Sequence, residues 1–264
     1  PPREMRPMLQ NELLPRLMQK GQRLVSHELH FYGIGESELE YKLHDLMAES
    51  TNPTIAPYAD TGEVKLRVTA SLPEGEDAEA LLQPATKKIL AAAGDYCYGI
   101  DVPDLQTAAV QALRQKGLTV ATAESCTGGL VAARLTEVPG ASAVFGCGIV
   151  SYNNTVKAEV LGVDPAIIEQ YTAVSAETAA AMAEAVRKKS GADIGIGVTG
   201  NAGPSASEGQ PVGLVFVAVA SEKYSHVSRL FIDRHDADAR NLIRHFAALK
   251  ALSLILRAAG YYKE

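Results

Sequence analysis

A serine, a lysine and a stretch of small residues are spaced along this chain so that they could hydrolyse an acyl bond together. Ser125 lies in the run Ala123-Glu124-Ser125-Cys126-Thr127-Gly128-Gly129, directly between the apolar stretch LTVAT and an apolar helical stretch. At a strand-to-helix junction the first amides of the helix are unpaired and carry partial positive charge, and glycines let a ligand approach the backbone. A hydroxyl there can attack a carbonyl while neighbouring amides stabilise the oxyanion that forms. The same residues also suit a plain helix start, with Ser125 and Thr127 as capping hydroxyls. Cys126 is either a rival nucleophile, since helix starts favour thiolates, or a buried structural thiol.

A serine needs a base. All six histidines, His27, His30, His44, His226, His235 and His245, fall outside residues 118–221, which directs attention to lysine. Within that stretch occur Lys157, Lys188 and Lys189, and the last two sit at a helix end that accounts for them. Lys157 follows the strand-like IVSY and the polar Asn153-Asn154-Thr155, placing it between a strand end and a helix start, as Ser125 is. In an α/β sheet such ends gather at one edge and form the ligand crevice. To act as a base Lys157 must be neutral, which requires burial or positive neighbours to bring its pKa down from about 10.4. A solvated surface lysine is the alternative. Thr199-Gly200-Asn201-Ala202-Gly203-Pro204 follows the strand-like DIGIGV and either offers amides and a hydroxyl to a ligand or merely connects two strands. Arg240 and Arg244, four apart on one face of the last helix, could clamp a phosphate or simply face solvent. No His, Cys, Asp or Glu group has metal-ligand spacing, and no cofactor is called for.

The elements that must position these groups follow from periodicity. Met8, Leu9, Leu13, Leu14, Leu17 and Met18 predict a helix over Met5–Gly21 that Pro15 interrupts. RLVSHELHFYG at 23–33 reads as extended, and Ser37 with Glu40 forms a capping box opening a helix that carries Leu39, Leu43 and Leu46. A turn at Asp60-Thr61-Gly62 precedes the alternating strand EVKLRVTA, and a helix over 76–93 completes a small α+β unit. Asp104 caps the next helix, so the boundary falls near residue 102, giving domains 1–102 and 103–264. The second half predicts strands at 118–123, 146–151, 192–198, 212–220 and 226–232, and helices at 128–136, 154–161, 175–190 and 238–258. That alternation predicts a layered α/β domain, and the short link at Glu222 and Lys223 makes its last two strands an antiparallel hairpin in a mixed sheet.

Bulk properties bound the function. With 264 residues, 47% of them hydrophobic and 21% charged, the chain can bury a sizeable core. The apolar run VGLVFVAVA falls well short of the roughly 20 residues that span a bilayer, so no membrane association is expected and the cytoplasm is the expected location. Three cysteines, Cys97, Cys126 and Cys147, form neither a disulfide framework nor a metal pair and read as reduced thiols. A net charge of −6 disfavours a broad nucleic-acid surface, and the α+β unit carries no GXXG segment. The opening PPREMRPM reads as following something longer.

Together these stretches resemble the CinA family of competence/damage-inducible proteins, whose enzymatically active members are nicotinamide-nucleotide amidases. AESCTGG agrees throughout. The pattern F-x-x-G-x-V-x-Y-x-N-x-x-K is met by Phe145, Gly148, Val150, Tyr152, Asn154 and Lys157, followed by LGV, AVS and PVG at 161, 173 and 211. FYGIGESELEYKL and NPTIAPYADTGEVKLRVTA look like the KH-like middle region of long members, so the resemblance covers nearly the whole chain. It implies that Ser125 is the nucleophile and Lys157 its base, converting nicotinamide mononucleotide to nicotinate mononucleotide and ammonia. It further implies substrate-binding roles for Cys126, Thr127, Gly128, Gly129, Tyr152, Asn154, Thr199, Gly200, Asn201, Arg240 and Arg244, and a homo-oligomer. The family's TGIAGP reads TGNAGP here, and its GDRxxVR reads DARNLIR, keeping Arg240 and Arg244 but not the Gly-Asp pair. Nothing corresponds to the amino-terminal molybdopterin-binding-like domain of long members. A second reading is an interaction module linked to competence or DNA damage, with a weak or inactive pocket.

Overall fold

The structure is a computed structural model that describes residues 2–17, 22–234 and 236–261. Met18 and His235 lie outside the described residues. The chain opens with α1 (Pro2–Met8) and α2 (Leu14–Leu17), joined by a π-helical turn at Leu9–Leu13. Pro15 has no amide to donate, and the helix widens in the turn before it rather than breaking there. The apolar Met5, Met8, Leu9, Leu13 and Leu14 remain exposed, so the expected apolar face is largely open to solvent.

The first sheet contains β1 (Gln22–Tyr32), β2 (Thr54–Asp60), β3 (Glu63–Pro73) and β4 (Cys97–Ile100), in the order β2-β3-β1-β4, all antiparallel. It is covered by α3 (Glu36–Glu49) and α4 (Glu79–Ala93). Val64, Leu66, Val68, Ala70 and Leu72 of β3 alternate inward, as the sequence predicts, and pack with Leu39 and Leu43 of α3 and Leu82 and Ile89 of α4. The predicted Ser37/Glu40 capping box does not form. Gly35, in extended conformation, is the N-cap, so Ser37 lies inside the helix. β4 was not foreseen.

The second sheet runs β6-β5-β7-β8-β9. Its order in sequence is α5 (Leu105–Lys116), β5 (Val120–Glu124), α6 (Leu130–Glu137), β6 (Phe145–Val150), α7 (Pro165–Tyr171), α8 (Ala176–Ser190), β7 (Ile194–Gly200), β8 (Leu214–Ser221), β9 (Ser225–Phe231) and α9 (Ala239–Ala258). β6, β5 and β7 are parallel, whereas β8 and β9 are antiparallel additions joined by the predicted hairpin. Asp104 caps α5 as predicted, its carboxylate accepting from the Thr107 amide at 2.8 Å.

One face of this sheet, with Val120, Ile194, Ile196, Val198, Val215 and Val217, packs against α5, α6 and the largely buried α9. The other is lined by small residues. A Cβ at Gly195 would lie 2.0 Å from the Ala183 carbonyl oxygen, and one at Gly197 would lie 2.3 Å from that of Ala179. The alanine-rich α8 therefore lies directly on the strand backbone, forming the third layer. Among the described residues no helix is long and apolar enough to cross a membrane.

Candidate active site

The chain leaves β5 through α6 to reach β6 on one side, then returns through α7 and α8 to β7 on the other. The carboxyl ends of these three parallel strands therefore flank a crevice at the point where the connections change direction. Ser125 follows β5, and its amide donates to the Val198 carbonyl of β7 at 2.9 Å. The Ser151 amide, just past β6, donates to the Glu124 carbonyl at 2.8 Å, so both neighbours clamp the segment that carries the serine.

Glu124 is 1% exposed, and its carboxylate is folded under the start of α6. It accepts from the amides of Gly129, Val131 and Ala132 at 3.1, 3.0 and 2.9 Å and from the Thr122 hydroxyl at 3.3 Å. An internal carboxylate thus occupies the positive end of the helix, the place an external anion could otherwise take. The Gly128 amide donates to the Ser125 carbonyl at 3.0 Å. Of the amides that follow Ser125, those of Gly128 and Gly129 are therefore already committed. Among the described residues, the amides of Cys126 and Thr127, which adjoin Ser125, face the Cys126 sulfur and donate to no carbonyl or carboxylate.

Lys157 lies in a π-helical turn, Val156–Leu161, in place of the predicted α-helix. Asn153 starts the turn, its side chain accepting from the Val156 amide at 2.8 Å and its carbonyl from the Lys157 amide at 3.1 Å. π-turns of this kind recur at functional sites because they re-aim a side chain. Here the lysine is 1% exposed, with its Nζ 3.2 Å from Ser125 Oγ and 2.9 Å from the Ser151 carbonyl. Burial brings its pKa below the ordinary lysine value, opposed by the negative charge of Glu208. The solvated-lysine reading is therefore excluded by its surroundings. Cys126 is buried as well, which pushes its thiol up to about 12. It stays protonated at neutral pH and is a poor rival to Ser125.

A cavity of about 280 Å³ opens onto this pair. Tyr152, Asn154, Thr199, Gly200, Asn201 and Arg240 all line it with Cys126. Thr127, Gly128, Gly129 and Arg244 do not belong to its lining. The Arg244 guanidinium instead donates to the Thr127 carbonyl at 2.9 Å, bracing the serine turn from α9 rather than reaching a ligand. Arg240, one turn earlier, sits at the mouth and donates to the Gly203 carbonyl at 2.6 Å and the Tyr152 hydroxyl at 2.9 Å. Thr199 donates to the Ala173 carbonyl at 2.6 Å and so fixes the opposite wall. Asn201, the departure from an aliphatic residue, organises its own loop. Its amide group donates to the Ser205 and Gln210 carbonyls at 3.1 Å each, and its oxygen accepts from the Gly203 amide at 2.9 Å. Glu124 and Glu208 were not singled out from sequence.

Residues 103–259 match the family model of the CinA C-terminal domain, and residues 26–99 match that of the damage-inducible protein CinA KH domain. The chain belongs to the CinA family. It is 46% identical to a putative competence-damage inducible protein of Bacillus pumilus over 86% of this chain and 55% of that one. It is 44% identical to another of that name from Acetivibrio thermocellus, over 97% of this chain and 62% of that one. The chain therefore spans little more than half the length of these CinA relatives. Among solved structures, competence/damage inducible protein CihA from Agrobacterium tumefaciens superposes with a TM-score of 0.55 at 36% identity, covering 58% of this chain and 93% of that one. A CinA superfamily protein from Escherichia coli gives 0.54 at 30% identity, covering 58% and 87%. The small sheet of residues 22–100 is accordingly a KH-like domain preceding the CinA C-terminal domain.

Proposed function

We propose that the C-terminal domain hydrolyses the carboxamide of nicotinamide mononucleotide by a Ser125/Lys157 mechanism. The observation that carries this reading is the buried 3.2 Å contact between Lys157 Nζ and Ser125 Oγ at the floor of the crevice. The substrate comes from the family resemblance, and the reaction type from the chemistry of the pair.

Neutral Lys157 takes the proton of the Ser125 hydroxyl as Oγ bonds to the carboxamide carbon. The carbonyl oxygen becomes an oxyanion facing the Cys126 and Thr127 amides. Collapse breaks the carbon–nitrogen bond, and protonated Lys157 returns its proton to the departing amine, which leaves as ammonia. Lys157 then deprotonates a water that attacks the ester, releasing nicotinate mononucleotide and restoring Ser125. Arg240, at the mouth, is placed to take the phosphate by exchanging its bonds to Gly203 and Tyr152.

Purified protein given nicotinamide mononucleotide should yield ammonia and nicotinate mononucleotide in equal amounts. If the products do not exceed those from a Ser125→Ala control, the amidase reading fails and the interaction-module reading stands.

A further inference from the structure

Glu208 is the one acidic side chain that lines the cavity among the described residues, and the reaction above makes no use of it. It sits at the tip of a tight two-residue turn. The Ser207 amide donates to the Gln210 carbonyl at 3.3 Å and the Gln210 amide to the Ser207 carbonyl at 2.9 Å, closing a loop whose central residues Glu208 and Gly209 have φ of 52° and 73°. Turns with two positive φ values prefer Asn, Asp or Gly at the first position, because a longer side chain is crowded there. Strain of this kind clusters at functional sites, where the surroundings hold it in place. Two contacts fix the carboxylate at the cavity wall: the Ala173 amide at 2.7 Å and the Asn154 side-chain amide at 3.2 Å.

Lys157, Glu208 and Arg240 are the charged side chains of the lining. With Lys157 neutral, as its role as base requires, the cavity holds one fixed positive and one fixed negative centre. A nicotinamide nucleotide carries the complementary pair, an anionic phosphate and a cationic pyridinium ring. We infer that Glu208 is a specificity-determining residue that selects carboxamides borne on a cationic ring over neutral carboxamides. The inference rests on the amidase reading and adds a preference to it. The electrostatics of the lysine agree, because the negative charge of Glu208 favours the protonated, inactive form of Lys157. A cation docked against Glu208 offsets that pull, so the right substrate helps to unmask the base.

Calorimetry on the Ser125→Ala protein can compare nicotinamide mononucleotide with its 1,4-dihydro form, which keeps the phosphate, ribose and carboxamide but has a neutral ring. The oxidised form should bind about tenfold tighter or better, the scale expected for one charge pair partly shielded from water. Glu208→Gln, which keeps the shape and an oxygen for the Ala173 amide, should remove most of that preference by weakening the oxidised form, whereas the charge-retaining Glu208→Asp should keep it. An unchanged ratio in Glu208→Gln, an equal weakening of both ligands, or loss of the preference in both variants would overturn the inference. Hydrolysis by the native chain is read separately. If it makes no product, the amidase reading fails and takes this inference with it, whereas product formation with an unchanged ratio overturns this inference alone.

Discussion

Burial is what makes Lys157 useful. In water an amine of ordinary pKa is protonated near neutrality and cannot accept a proton; in the crevice its charged form is disfavoured, so the neutral fraction rises. The rate should therefore climb with pH through a value below the ordinary lysine pKa. Lys157→Arg should be about 10²- to 10⁴-fold slower at every pH, because a guanidinium stays charged. The stability sign follows from the same direction. Between the folded and the unfolded pKa the unfolded chain binds the extra proton, so this group's contribution to stability rises with pH there and is unfavourable below it. Lys157→Met should thus be inactive yet melt no more than about 4 °C below the native chain at pH 7, which calorimetry would show. Glu124 has the opposite character. Glu124→Ala strands three helix amides and should cost about 3 kcal/mol in urea denaturation. The serine and the lysine were readable because both follow strand-like runs. The two glutamates were not, because their roles depend on which way a carboxylate folds, which periodicity does not encode.

At the scale of elements, the five strands of the second sheet, the terminal hairpin and α5, α6, α8 and α9 follow from alternation, apolar faces and the Asp104 cap. α7 was overlooked although Asp164 caps it through the Ala166 amide and Pro165 opens it, because seven residues carry too short an apolar period to stand out. The π-turn that aims Lys157 was read as ordinary helix, since one extra residue in a turn leaves almost no mark on the apolar pattern. The closeness of α8 to the sheet is written in the two glycines of Ile194-Gly195-Ile196-Gly197 and the alanines facing them. Gly197→Ala should force α8 away from β7 and cost about 2–3 kcal/mol in the same denaturation assay. A cost below about 0.5 kcal/mol would show that this layer yields more easily than close packing implies.

At the scale of the molecule, the two units meet where the β2–β3 turn rests on α9. The His245 ring contacts the Thr61 carbonyl at 2.8 Å and Arg134 of α6 at 2.6 Å, and a Cβ on Gly62 would lie 2.8 Å from both Phe246 and Leu249. α9 also carries Arg240 at the cavity mouth and Arg244 under the serine turn, so one helix links the KH-like domain to the site. On the small sheet Lys65 and Arg67 both pair with Glu28, at 3.2 and 2.7 Å. What joins these scales is the claim that Ser125 forms a covalent acyl intermediate. Turnover of nicotinamide mononucleotide in the presence of hydroxylamine tests it directly, because hydroxylamine intercepts an ester and diverts it to a hydroxamate. The hydroxamate should form with the native chain and not with Ser125→Ala. The acid as sole product of the native chain, or hydroxamate formed by Ser125→Ala, would contradict it.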